Sequence, residues 1–82
     1  PLAFAWAAPQ AAALLRLEVQ TATDGRPAEV LSAFVRPGTG RYDAPPWFTD
    51  AQRGRTLRWR VVALDLEGRA VGASAWRALA LQ

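Results

Sequence analysis

Thr56-Leu57-Arg58-Trp59-Arg60-Val61-Val62-Ala63-Leu64 is the stretch that decides the fold. Leu57, Trp59, Val61 and Ala63 fall on one face, and Thr56, Arg58, Arg60, Val62 and Leu64 on the other. A period of two is the signature of a half-buried strand. The first face is uncharged and carries the large Trp59, so it is expected to point into the core. The arginines are expected outward, free to pair with Glu18 or to stack on rings. Asp65, Glu67 and Gly68 then read as a turn.

The same alternation recurs on both sides. Leu15, Leu17 and Val19 alternate with Arg16, Glu18 and Gln20. This predicts a strand over 13–20, although Ala11 to Leu15 have helical propensity. Asp24-Gly25 is a hairpin signal. Ala28 to Val35 then reads as the partner strand, with Val30, Ser32 and Phe34 on one face and Leu31, Ala33 and Val35 on the other. The pattern leaves open which face is inward. Leu2, Phe4 and Trp6 alternate with alanines and predict a short strand ending before Pro9.

After a turn at Arg36–Gly40, a short extended piece is expected at Arg41–Asp43. Pro45 and Pro46 are expected to keep the backbone out of regular structure. A polar loop from Thr49 to Arg55 leads into the central strand, and a last strand is expected from Val71 to Leu79. Five or six short strands, with turn signals every ~8–12 residues, point to an all-β sandwich or barrel.

The chain has 82 residues, one small domain by length, and its first residue, proline, reads as the start of a fragment of a longer protein. A domain of this size buries only about 60% of its unfolded surface. With 18 alanines among the residues, the core must come from aromatics. Trp6, Trp59 and Trp76 are expected to hold it.

Ten arginines and no lysine, histidine, cysteine or methionine exclude disulfides, thiolate metal sites and imidazole catalysis. The pI near 11.1 follows from a net charge of +3 with almost nothing titrating between carboxylate and arginine. The arginines are dispersed among seven acids, so no nucleic-acid partner is expected. The uncharged run from Pro1 to Leu15 is shorter than the ~20 apolar residues of a membrane span, so no membrane insertion is expected. Neither Asp65 with Glu67 nor Asp43 with Asp50 suggests a converging pair of acids. Gly38-Thr39-Gly40 is too short for a phosphate cradle. No catalytic, metal or cofactor site is expected. Tyr42, Trp47 and Phe48, in a proline-rich segment, form the candidate site. They are either a lid on the core or a partner contact.

The runs Phe4-Ala-Trp6, Ala12 to Val19, Leu57 to Asp65, Gly68 and Ser74-Ala-Trp-Arg77 resemble a divergent bacterial fibronectin type III (Ig-like) domain. The resemblance implies a small antiparallel two-sheet sandwich. It makes Trp6 the core tryptophan of strand B. Leu15, Leu17 and Val19 become the inward residues of strand C, and Leu57, Trp59, Val61 and Ala63 those of strand F. Val71 to Leu79 becomes strand G. Nothing before Leu2 could serve as strand A, so an edge is expected to be left open, inviting self-association. Leu57 also stands where the family has a corner tyrosine.

By this resemblance the chain is expected to be a non-catalytic interaction or spacer module of a larger bacterial envelope or regulatory protein. It would bind a protein partner or a neighbouring domain of its own chain. An extracytoplasmic location, periplasmic or at the cell surface, is implied by the resemblance only. The alternatives are an extracytoplasmic sensing domain of an anti-sigma-factor-like regulator and a carbohydrate-binding accessory module.

Overall fold

In the computed structural model, residues 2–7, 12–22 and 26–81 are described. Two antiparallel sheets face each other across one apolar cluster. The smaller sheet pairs β1 (Ala3–Ala5) with β4 (Arg41–Asp43). The larger runs β3 (Glu29–Val35), β2 (Leu14–Thr21), β5 (Thr56–Leu64) and β6 (Ala70–Ala73). β7 (Arg77–Ala80) pairs the other end of β5. The short helix α1 (Pro46–Ala51) links β4 to β5.

The central strand spans the residues that its alternation predicts, and β2 lies beside it with Leu17 opposite Val61 and Val19 opposite Trp59. Cross-strand partners share a face. Leu15, Leu17, Val19, Leu57, Trp59 and Val61 therefore line the inner face of the large sheet, and all six are buried. Phe4 reaches them from the small sheet: its ring meets Trp59 edge-on at 5.2 Å. Trp6 packs on the margin of the cluster at 6.5 Å from Trp59. The turn before β4 brings Gly40 against β1. Its φ is +68°, and a Cβ there would stand 3.2 Å from the Trp6 carbonyl oxygen.

Several expectations are corrected. Pro46 does not prevent regular structure but opens α1 from an extended Pro45. Proline suits the first helical turn, where its missing N–H would have no partner anyway. The loop expected from Thr49 is therefore helical as far as Ala51. The last strand is not continuous but breaks at Ser74-Ala75-Trp76, between β6 and β7. Ser74 replaces the ladder there: its N–H donates to the Val61 carbonyl at 2.9 Å, and its hydroxyl accepts the Val61 N–H at 3.0 Å.

Val30 does not share a face with Ser32 and Phe34. The register slips between Val19 and Gln20, so Val30 is an extra residue on β3 and packs toward the core with Leu31 and Ala33. The outward face of β5 is only half solvated, since Val62 and Leu64 are buried on it. The Asp24-Gly25 turn lies outside the described residues.

Candidate functional site

Three places on the surface bring side chains together. The first holds the aromatics of α1. Phe48 is 0% exposed and belongs to the core cluster, which removes it from any contact surface. Trp47, its neighbour, is 60% exposed. The two rings meet edge-on at 6.1 Å, so the exposed indole rests on a buried anchor. Tyr42 lies opposite Phe4 in the small sheet and packs against the core. The sequence groups these three aromatics, and the structure divides them: Phe48 is a lid, Tyr42 a half-buried support, and Trp47 the exposed member.

The second place is the outer face of the large sheet. Glu18 there accepts from Arg16 Nε and from Arg60 Nε, both at 2.8 Å. Arg58 donates to Gln20 Oε1 from Nε and Nη2. Trp76 completes the row, with the Arg58 guanidinium 4.2 Å and the Arg60 guanidinium 4.5 Å from its ring centroid. Trp76 is therefore not a core tryptophan, contrary to expectation. The break in the last strand sets its ring among outward arginines. The alternation places Arg58 and Arg60 outward, to pair with Glu18 or stack on a ring: Arg60 does both, while Arg58 stacks on Trp76 and bonds Gln20 instead of Glu18. What it missed was the break, which only Gly72 and Ser74 hint at.

Burial alone would raise the Glu18 pKa. The hydrogen bonds and charges of Arg60 and Arg16 outweigh it and hold this carboxyl below the ordinary carboxylate value. A carboxyl held lower when folded contributes stability above its unfolded pKa and loses it as pH falls through the folded one. Glu18→Gln is accordingly expected to cost about 1–2 kcal/mol at neutral pH. It should also flatten the acid limb of a stability profile followed by urea denaturation. An unchanged acid limb would mean that the two arginines do not hold the carboxylate.

The third place is a groove of about 260 Å³ between the end of β1 and β5–β6, lined by Trp6, Ala7, Val61, Ala63, Gly72, Ala73 and Ser74. None of these side chains titrates, so the groove offers shape and apolar surface but no acid–base chemistry. Among the described residues, no group of three or more His, Cys, Asp or Glu comes together to hold a metal. No described helix is long and apolar enough to cross a membrane.

No protein-family model, curated protein or solved structure matches the chain.

Arginine pairing elsewhere is exposed. Arg41 meets Asp43 at 2.9 Å and Arg53 meets Asp50 at 2.8 Å. Such pairs contribute ~0–1 kcal/mol and order the surface little. Asp65 Oδ1 accepts the N–H groups of Glu67 and Arg69, so this acid shapes the β5–β6 turn.

Proposed function

We propose that this chain is a non-catalytic interaction or spacer module of a larger bacterial envelope or regulatory protein, with Trp47 as its contact residue. The observation that carries the reading is the pairing of an exposed indole with a fully buried neighbour. Phe48 fixes α1 to the core, so Trp47 stands at the surface without the entropy loss that a mobile loop would suffer on binding. Tryptophan is enriched among residues that dominate binding energy.

The strand order supports the fibronectin type III reading on which this rests. β2, β5 and β6 with β7 are neighbours in one sheet, as strands C, F and G would be. β1, as strand B, lies in the other sheet, which among the described residues has two strands. An extracytoplasmic location follows from that resemblance. A sugar-binding platform has less support, because it would need Tyr42 and Trp47 exposed together and Tyr42 packs inward.

The test is a photo-reactive amino acid in place of Trp47 in the intact parent protein, with the same residue in place of the exposed Leu66 as control. A discrete crosslinked product from position 47 alone is expected, either to a partner or within the parent chain. Equal products from both positions, or none from position 47, would overturn the assignment.

A further inference from the structure

The larger sheet ends on β3, and this edge differs from the other edges of the described structure. β1 and β4 are three residues each, and β4 carries Arg41 and Asp43. The edge formed by β6 and β7 is broken at Ser74–Trp76. Short strands, charges and breaks are the ordinary protections against pairing with another chain. β3 is seven residues long, with Glu29 its only charge and no proline. Phe34, near its end, is 65% exposed.

The ladder fixes which backbone groups are free. Thr21 N–H donates to the Ala28 carbonyl, whereas Ala22 N–H donates to the Thr56 carbonyl. Successive residues of an antiparallel strand alternate between neighbours. Leu15, Leu17 and Val19 therefore face β3, and their opposites Val35, Ala33 and Leu31 face back. The N–H and C=O groups of Ser32 and Phe34 are left to point away from the sheet.

We propose that β3 pairs antiparallel with β3 of a second copy of this chain, about a two-fold axis at Ala33. In that register Ser32 of each copy lies opposite Phe34 of the other, and their outward groups exchange four hydrogen bonds. Leu31 stands opposite Val35 on the inner side. Glu29 shares the outer face with Gln20, its opposite on β2, and Arg36 follows one residue after Val35 on the outward side of the alternation. The two-fold places each Glu29 diagonally beside Arg36 of the other copy, within reach of long side chains. Neither residue has an ion-pair partner among the described residues of its own chain. Like charges never meet in this register, and the symmetry closes after two copies, so the product is a dimer rather than a fibre. This does not depend on the role given to Trp47, which lies on α1.

Sedimentation velocity of the 82-residue chain across a concentration series is the test. A reversible monomer–dimer equilibrium is expected, with slowed amide exchange at Ser32 and Phe34 as dimer accumulates. Glu29→Arg and Arg36→Glu should each weaken the dimer roughly tenfold, and the double exchange should restore it. All these side chains are exposed, and circular dichroism of each variant confirms that the fold persists. A chain that stays monomeric at every concentration would overturn the proposal. So would a dimer indifferent to both single exchanges.

Discussion

Phe48→Ala is expected to cost about 3–5 kcal/mol, the range for emptying a buried aromatic site. A domain of this size has only roughly 5–10 kcal/mol in total. The midpoint of thermal unfolding should therefore fall by roughly 15 °C or more. The physical reason is local. Phe48 is the only buried residue of α1, so its ring is what anchors the helix in the core. No side chain caps the helix start, so little else holds this turn. Trp47→Ala, one residue away, should cost under about 1 kcal/mol, because it forfeits one edge contact and no enclosed volume. Thermal melts of both variants decide the matter. Equal losses would mean that the two rings share one environment.

Trp59→Ala is expected to be as damaging, at about 3–5 kcal/mol, but for a different reason. Trp59 is where the rings of the large sheet and of the β1 segment meet. Phe4 packs edge-on to its ring, Trp6 lies beside it, and the Arg77 guanidinium sits 5.3 Å from its centroid. Removing it empties the space between the sheets. The two-stranded sheet should respond first, since a pair of short strands has little stability without a packed face. Amide exchange at Phe4 and Tyr42 should accelerate more than at Leu17, which β2 holds between two neighbours. Uniform acceleration, or a loss below about 1 kcal/mol by urea denaturation, would contradict this position for Trp59.

Much of this arrangement is legible in the sequence, because alternation is strongest where one face is fully buried. Thr56–Leu64 and the strand beginning near Leu14 are read almost to their ends for that reason. Where the structure departs, a single residue breaks the period. The extra residue at Val30 turns inward a side chain that strict alternation groups with Ser32 and Phe34. Ser74 imitates the ladder with its hydroxyl, so the chain can leave the sheet and return, and Trp76 comes out on the opposite face from the core. Pro45-Pro46 stops a strand, yet the second proline also begins a helix, and the pair alone does not distinguish those outcomes. Tyr42, Trp47 and Phe48 were visible as a group. Trp47 and Phe48 part because helical geometry points adjacent residues in different directions, whereas Tyr42 is held against the core by its place in β4.

The outer-face row has a consistent electrostatic logic. Two arginines share one carboxylate, and two guanidiniums lie on one indole. Arg60 takes part in both, which couples β2, β5 and the segment between β6 and β7. Cation–π contacts contribute about 0.5–1 kcal/mol each at exposed sites. The row thus supports the sheet across the place where the last strand breaks.

Two-dimensional nuclear Overhauser spectroscopy of the chain is the most direct measurement, because it reads the core and the outer face together. The fold predicts cross-peaks between the Phe4 and Trp59 rings, and between Phe48 and the core. It also predicts side-chain protons of Arg58 and Arg60 shifted upfield by the Trp76 ring. Cross-peaks from Trp76 to Leu57 or Val61, with no contact between Phe4 and Trp59, would contradict it.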